Sequence, residues 1–359
     1  MNPVLVEVLR GGHVESRHGG ALALVDADGA LVCALGDVER PIFPRSAVKV
    51  LQALPLVESG AAERLGLSDA ELAIACASHS GEPEHVATAA GMLARLGLDP
   101  AVLECGTQWP AREPVLRGML ARGEQATALH NNCSGKHAGF VCVACQIALA
   151  QGRPPEELAE FARGYVTPEH PVMREVSAAL AATTGAELAQ APRGTDGCSI
   201  PTFGIPLRAL ALAFARVGTG QGLTPMRARA ARRLRQAVAA APFMVGGTDR
   251  FDTRVMQALG ERLFCKVGAE GVYCAAFPEL GLGLALKIDD GQLRGAETAM
   301  AAVAQALLPL DEPQAALLRG YSEAALHNWN GLRVGQLRAG EALLGALRRV
   351  GGAGADVTR

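Results

Sequence analysis

The sequence predicts an α+β fold, in which one antiparallel sheet is built from both chain ends and helices pack on it. Strand patterns open the chain at residues 3–10 and 21–35, and they return near its end at 263–277 and 282–288. Between these ends, over about residues 82–260, apolar residues recur mainly with helical spacing. The simplest assembly pairs the terminal strands with each other and places the helices on the faces of that sheet.

Pairing of the two ends also predicts the domain organisation. With 359 residues, 49% of them hydrophobic, the chain can bury a large core. Because the helical middle (about 82–260) is inserted between strands of one sheet, residues 1–350 are expected to form a single domain rather than two successive ones. Residues 351–359 are expected to be a frayed, disordered tail.

The first elements follow from turn and proline signals. Asp26-Ala27-Asp28-Gly29 separates two apolar runs and predicts a hairpin. Residues 45–55 predict a short helix that is bounded by a proline at each end. Residues 72–76 are a short apolar run that predicts a strand, and the polar residues 77–82 after it predict a loop.

The later elements are mostly helices. A polar turn at 130–137 leads into an apolar helix that ends near residue 150, and a last edge strand is expected after Asn330-Gly331, ending at Leu337. The remaining predicted helices cover residues 84–96, two segments within 155–190, and 207–217, 225–240 and about 294–308.

Composition excludes several classes of function. The formal net charge is −2 and only 4% of the residues are aromatic, so neither a basic patch nor a base-stacking surface for nucleic acid is expected. The longest apolar segment, residues 138–150, is too short to cross a membrane. The N-terminus lacks a signal-peptide pattern, and the nine cysteines show no disulfide framework, so we expect reduced thiols in the cytoplasm.

The first chemical motif is Ser46-Ala47-Val48-Lys49 at the start of the short helix. Ser46 and Lys49 are three residues apart and therefore share a helix face. The neighbours of Lys49 in this stretch are apolar and include no acid, so its amine can be desolvated and become a base for the Ser46 hydroxyl. The alternative is an ordinary amphipathic helix whose lysine reaches water.

A second motif, Lys266-Val267-Gly268, lies on a strand near the C-terminus. Penicillin-recognising enzymes carry Ser-x-x-Lys early in the chain and Lys-Thr-Gly on a late strand. Here the order is the same, but the threonine is replaced by Val267 and no Ser-x-Asn stands clearly between the two motifs. The pattern favours Ser/Lys chemistry rather than penicillin chemistry. Taken alone, Lys266 is interpreted as a surface lysine beside a hairpin.

Two serines follow the apolar run 72–76. Ser78 lies where a strand end would direct it into a cleft, and Ser80 is expected to cap the helix that begins near Glu82. The third chemical motif, Cys133-x-x-Lys136-His137, lies at the start of the apolar helix.

A cysteine at a helix N-terminus beside cationic groups has a lowered pKa and is reactive or a metal ligand. Cys133 and Cys198 therefore offer two thiolates to zinc, to which Asp196 or His137 adds a further ligand, although the spacing alone is weak evidence. The alternative is a buried structural cysteine. We interpret the pair Cys142 and Cys145, inside the apolar helix, as core thiols.

Six blocks of the sequence together carry a resemblance to a known family: Arg10–Ser16, Pro44–Lys49, Ala77–Glu82, Asn132–His137, Thr195–Cys198 and Lys266–Gly271. On these blocks the chain resembles the Rhizobium-type (class 3) L-asparaginases over about residues 4 to 340. That family is similar in fold to the serine β-lactamases and the serine-type glutaminases, which agrees with a sheet made from both chain ends.

The resemblance implies a set of site residues. It implies that Ser46 is the nucleophile with Lys49 as its partner, and that a second serine, Ser78, pairs with the strand lysine Lys266. It implies a zinc site made of Cys133, Lys136 and Cys198, with Asp196 and His137 as polar residues close by. Since lysine binds zinc only as the neutral amine, zinc occupancy should fall in acid. Arg45 is the candidate for holding a substrate carboxylate.

The resemblance thus implies an enzyme that hydrolyses L-asparagine to L-aspartate and ammonia through an acyl-enzyme, as a cytoplasmic homodimer. Two alternatives stay open. A glutaminase or a penicillin-type serine amidase would use the same Ser/Lys machinery on another acyl group. A non-enzymatic zinc- or thiol-sensing protein would need Cys133 and Cys198 but not Ser46.

Overall fold

The computed structural model describes the backbone of residues 1–355 and the side chains of residues 1–350, and it confirms the α+β class. Of the expected tail, residues 351–355 continue a helix, and residues 356–359 lie outside the described residues. No helix within the described part is both long enough and apolar enough to cross a membrane.

The strands lie at the two chain ends, apart from three short ones in the middle. They are β1 (Val4–Arg10), β2 (His13–Asp26), β3 (Leu31–Leu35), β4 (Pro41–Ile42), β5 (Arg193–Thr195), β6 (Pro201–Phe203), β7 (Ile205–Pro206), β8 (Phe264–Gly268), β9 (Val272–Phe277), β10 (Leu282–Ile288), β11 (Ala325–His327) and β12 (Arg333–Ala339).

Helices fill the middle of the chain and also follow the last long strands. They are α1 (Lys49–Gln52), α2 (Leu54–Glu58), α3 (Ala61–Arg64), α4 (Asp69–Ala75), α5 (Pro83–Ala94), α6 (Glu113–Ala121), α7 (Ser134–Ala150), α8 (Leu158–Ala162), α9 (Pro171–Thr184), α10 (Leu207–Thr219), α11 (Pro225–Ala240), α12 (Phe243–Gly246), α13 (Phe251–Leu259), α14 (Leu293–Leu307), α15 (Glu312–Ser322) and α16 (Glu341–Ala355).

The chain divides into two compact units, and both ends belong to the first, which we call the sheet unit (residues 1–47, 205–215 and 265 onward). Its sheet has the order β11-β12-β1-β2-β10-β9-β8, with β3 also paired to β2. The pairings of β1 with β2 and β12, of β2 with β3 and β10, of β9 with β10 and of β11 with β12 are antiparallel. The expected pairing of N-terminal with C-terminal strands is therefore confirmed by β1 with β12 and by β2 with β10.

The centre of this sheet is apolar on both faces. All six residues of β9 are buried, as is most of β10, which explains their nearly continuous apolar sequences. Helix α14 packs on β1, β9, β10 and β12, and α10 crosses β10 at Gly283, where a Cβ atom would lie 2.0 Å from the Ala211 carbonyl oxygen. Only glycine fits at that crossing.

The second unit, which we call the helical unit, comprises residues 48–204 and 216–264. Helix α7 is its central element: it is buried from Ser134 to Cys145, and α2, α4, α5, α8 and α9 pack around it. Cys142 and Cys145 are free, buried thiols, which confirms their interpretation as core residues.

Three local predictions are wrong. The apolar run 72–76 is the end of helix α4, not a strand, because Ser68 and Glu71 form a capping box that starts a helix there. Pro55 does not end a helix; it occupies the first turn of α2, where a missing N–H costs nothing. The strand β12 is not at the sheet edge, because β11 pairs along its outer side.

Candidate active site

The predicted site residues fall into two sets, one in each unit. Lys49, Ser78, Cys133, Lys136 and Cys198 lie in the helical unit, together with His137 and Asp196. Arg45, Ser46 and Lys266 belong to the sheet unit.

Lys49 is a buried polar group of the first set. It is the first residue of α1, directly after a 3₁₀ turn over Arg45–Val48, and only 1% of it is exposed. Its Nζ donates to the Ala77 carbonyl oxygen at 2.5 Å and to Ser78 Oγ at 3.0 Å. The amine is thus bonded directly to one of the two predicted catalytic serines.

Ser78 is positioned by the segment that follows α4. Its backbone N–H donates to the Val245 carbonyl oxygen at 2.9 Å, and the side chain is buried. The bond from Lys49 spans 29 positions of the sequence and was not predicted; the family resemblance assigns Lys266 to Ser78 instead.

Ser80 does not cap the next helix. The N-cap residue of α5 is Glu82, whereas Ser80 Oγ donates to the Gly246 carbonyl oxygen at 2.7 Å. The expected capping role is therefore wrong, and Ser80 instead joins the segment 77–82 to the turn after α12.

The three predicted zinc ligands lie together in the helical unit. Cys133 is the residue before α7, and Lys136 is in its first turn. Lys136 Nζ lies 3.0 Å from Cys198 Sγ, and the thiols of Cys133 and Cys198 are hydrogen bonded to each other. All three side chains are buried.

The charges of this cluster are mutually dependent. The hydrogen bond from Cys198 holds the pKa of Cys133 well below its ordinary value, and Lys49 and Lys136 lower it further against the effect of burial. The pKa of Cys198 is raised, since it donates to Cys133 and is buried. Burial lowers the pKa of Lys136, but the two sulfurs outweigh burial and the net shift is upward. The shifts favour the thiolate at Cys133, the thiol at Cys198 and the ammonium form of Lys136.

Cys198 is presented by a strained turn between β5 and β6. The backbone of Ser199 is left-handed (φ +76°), and its N–H donates to the Asp196 carbonyl oxygen at 2.9 Å. The Asp196 carboxylate accepts from the Gly197 N–H at 2.7 Å and is close enough to raise the pKa of Lys136. Asp196 is therefore a neighbour of the cluster.

His137 lies behind the cluster rather than in it. Its Nδ1 bonds to the Tyr165 hydroxyl at 2.7 Å, and that hydroxyl accepts the Glu104 N–H at 2.8 Å. When the Tyr165 hydroxyl gives its own proton to Nδ1, His137 carries its proton on Nε2. Among the described residues, this buried Nε2 has no hydrogen-bond partner. Nothing in the sequence indicated Tyr165.

The donor set fits zinc by its chemistry. Two sulfurs and an amine are soft and borderline ligands of the kind zinc accepts, and they already lie in mutual contact. Within residues 1–350 there is no cluster of three or more His, Cys, Asp or Glu residues that could hold a metal.

The second set brings the two sequence motifs of the sheet unit together. Gly268 lies so close to the segment before Lys49 that a Cβ atom on it would be 2.4 Å from the Pro44 carbonyl oxygen. Arg45 has a left-handed backbone (φ +52°), a strained conformation that is common at functional sites. Lys266 is fully buried on β8, and its Nζ donates to the Val267 carbonyl oxygen at 2.8 Å.

The scarcity of lysine in the sequence is a further signal that points to these site residues. Only four of the 34 Lys and Arg residues are lysines, and three of them are the predicted site residues Lys49, Lys136 and Lys266. All three are buried. Arginine does not replace lysine in such a role, because a buried lysine amine shifts its pKa readily whereas arginine stays charged.

A search of curated proteins finds no match to the chain. The family model of L-asparaginase II matches residues 6–339 and confirms the resemblance drawn from the six sequence blocks. The chain therefore belongs to the L-asparaginase II family, whose members are hydrolases that act on the asparagine amide.

Proposed function

We propose that this L-asparaginase works through a Ser/Lys pair and an acyl-enzyme. The observation that supports this most is the buried Lys49 amine, which donates a hydrogen bond of 3.0 Å to Ser78 Oγ. Lys49 directly follows the 3₁₀ turn that contains Ser46. A buried amine that contacts serine and carbonyl oxygens is suited to accept and return a proton.

In the proposed first step, Ser46 Oγ attacks the side-chain amide carbon of asparagine and its proton passes to Lys49. The carbon–nitrogen bond then breaks, the proton goes to the leaving amine, and ammonia departs. Water attacks the aspartyl ester with the same base, which releases aspartate and restores Ser46. Ser78 relays the proton to or from Lys49, and Lys266 assists this transfer.

The negative charge that develops on the amide oxygen needs donors, and the Ser46 backbone N–H is our candidate. We assign Arg45 to the substrate α-carboxylate, since arginine binds carboxylates with two parallel bonds. His137 and Asp196 are proposed to contact the substrate, and within residues 1–350 the buried Nε2 of His137 has no hydrogen-bond partner.

We further propose that Cys133, Lys136 and Cys198 hold zinc. Bound zinc would supply a Lewis acid that helps to bind and order the substrate. Because Lys136 must lose its proton to bind, zinc occupancy should fall as the solution becomes more acidic.

The fold family, the cellular location and the oligomeric state are also proposals. The sheet made from both ends supports a serine β-lactamase/glutaminase-like fold. The nine free cysteines support a cytoplasmic location. A homodimer rests on the family resemblance alone.

Ammonia release from L-asparagine and L-glutamine by the purified protein tests the proposal. Wild-type protein should act on L-asparagine, and Ser46→Ala should lose turnover by about 10³-fold or more with an unchanged melting temperature. The control Ser59→Ala changes a serine at the end of α2 and should be as active as wild type. A near-wild-type rate in Ser46→Ala would refute the nucleophile assignment, and release from glutamine alone would favour the glutaminase alternative. A zinc chelator should lower the activity. Unchanged activity in its presence would refute a role for zinc in the reaction.

A further inference from the structure

The histidine between the two serines, His79, is buried and is not used by the proposed chemistry. Its side chain is 1% exposed. Its Nδ1 accepts the Gly81 N–H at 3.2 Å, so the ring proton lies on Nε2, which donates to Ser134 Oγ at 3.0 Å. Burial lowers the pKa of His79 well below its ordinary value, in keeping with a neutral ring that both accepts and donates.

The backbone and the side chain of His79 both form hydrogen bonds to residues 132–134. The His79 N–H donates to the Asn132 carbonyl oxygen at 3.2 Å, while its ring reaches Ser134. These contacts bracket Cys133 on both sides. His79 therefore joins the segment that carries Ser78 to the start of α7, where Cys133 and Lys136 lie.

A second histidine supports the first. The rings of His79 and His85 are stacked with centroids 4.8 Å apart, and His85 stacks in turn on Phe243 at 4.7 Å. His85 repeats the bonding pattern, since its Nδ1 accepts the Glu82 N–H at 3.1 Å and its Nε2 donates to the Phe243 carbonyl oxygen at 3.1 Å. Two neutral rings thus fix successive amides of the same segment.

We infer that His79 is a positioning residue for the reaction: it holds Ser78 in register with the Cys133–Lys136 cluster. The inference rests on the proposed function, because it assigns to that site the residue that keeps its two halves aligned. A displacement of about 1 Å can cost 10²-fold in rate without weakening substrate binding equally.

Two substitutions test the two hydrogen bonds of the His79 ring one at a time. His79→Gln keeps a donor near the position of Nε2, and His79→Asn keeps an acceptor near that of Nδ1. His170→Gln is a matched control, because His170 also accepts an N–H on Nδ1 and donates Nε2–H to a carbonyl oxygen, but it caps α9. For both His79 variants we expect kcat on L-asparagine to fall about tenfold or more, with KM within about twofold. His170→Gln should match wild type.

The coupling to Ser134 is tested by a double-mutant cycle. If the ring acts through Ser134 Oγ, then Ser134→Ala and His79→Asn should lower kcat to a similar extent, and the double variant should lose no more than either. Additive losses would overturn this link.

Hydrogen exchange gives a readout that does not depend on turnover. The amides of residues 78–82 and 132–134 should exchange faster in the His79 variants than in His170→Gln, with melting temperatures alike. Unchanged kcat with unchanged exchange would overturn the inference and leave the proposed function standing. An inactive wild-type protein would refute the proposed function, and exchange would then still decide whether His79 holds the two segments together.

Discussion

A lysine amine in a protein interior must satisfy up to three donors, and Lys49 does so with two oxygens and a sulfur. It bonds the Ala77 carbonyl, the Ser78 hydroxyl and the side chain of Cys133. Arginine in its place would stay protonated under all working conditions and could not take a proton from serine. The identity of this residue therefore matters more than its charge.

Replacement of Lys49 should remove catalysis whether or not a positive charge is kept. We expect Lys49→Arg and Lys49→Met each to lower kcat by about 10²- to 10⁴-fold, the usual contribution of a general base. The measurement is steady-state ammonia release, with the melting temperature recorded for each variant. Lys287→Met is the control, because the Lys287 amine bonds to the carbonyl oxygens of Glu270 and Ile288 in the sheet unit. An active Lys49→Arg protein would contradict the assignment of Lys49 as a base.

The individual site residues were predictable from local sequence, whereas their hydrogen-bond partners were not. The types and spacing of Ser46, Lys49, Cys133 and Lys136 were informative because helical spacing places them on known faces. The bond between Lys49 and Ser78, the support of His137 by Tyr165, and the contact of Ser134 with His79 join distant parts of the sequence. Such contacts depend on the packing of helices, which no local pattern specifies.

The segment 77–82 is held by a second irregular segment, the turn over 246–248. Glu82 accepts the Thr248 N–H at 2.8 Å and the Thr248 hydroxyl at 2.7 Å, and Ser80 donates to the Gly246 carbonyl oxygen. Gly247 lies between them with φ +103°, and a Cβ atom there would be 2.4 Å from Glu82 Oε1. The turn therefore supports the position of Ser78.

Gly247→Ala should disturb both stability and activity. A left-handed or otherwise unusual backbone costs an alanine about 1–2 kcal/mol, and the overlap with Glu82 adds to this. Gly60→Ala is the matched control, since Gly60 also has a positive φ (+79°) but open space around it. Urea unfolding and kcat measured for both variants should show that only Gly247→Ala loses activity. Equal effects would mean that strain, and not the contact with Glu82, determines the outcome.

Elements were predictable where their pattern was long. The long helices α5, α7, α10, α11 and α14 and the strands β1, β8, β9 and β10 follow apolar periodicity. Helix α4 was mistaken for a strand because five apolar residues fit either structure, and α15 was missed although Asp311 and Gln314 form a capping box. In both cases the capping residues carried more information than the apolar run.

The distribution of lysines is a property of the whole molecule. Three of the four lysines are buried, and the fourth, Lys287, is half-buried on β10. Native protein treated with an amine acylating reagent should therefore react first at the Met1 amino group, next at Lys287, and only after unfolding at Lys49, Lys136 and Lys266. Peptide mass spectrometry reports this order. Early acylation of Lys266 in native protein would contradict its burial on β8.

Buried neutral histidines make the stability depend on pH. Burial lowers the pKa of His79, His85 and His137 from the ordinary value of 6.5. Below that pH the unfolded chain binds protons that the folded chain does not, so the free energy of unfolding falls as the pH falls. Each group contributes at most about 1.4 kcal/mol per pH unit.

The free energy of unfolding, measured with urea between about pH 7.5 and pH 5, should show this loss. His85→Gln should make the dependence of that free energy on pH less steep. A free energy of unfolding that rose on acidification over this range would show that the histidines are protonated in the folded protein.

The most direct test of the account is the detection of the covalent intermediate. Wild-type protein mixed with L-asparagine and quenched in acid within one turnover should yield, after digestion, an aspartyl ester on the peptide that contains Ser46. The same ester should be absent from Ser46→Ala. Rapid turnover with no ester on any serine, or an ester on the peptide that contains Ser78, would contradict the mechanism proposed for this enzyme.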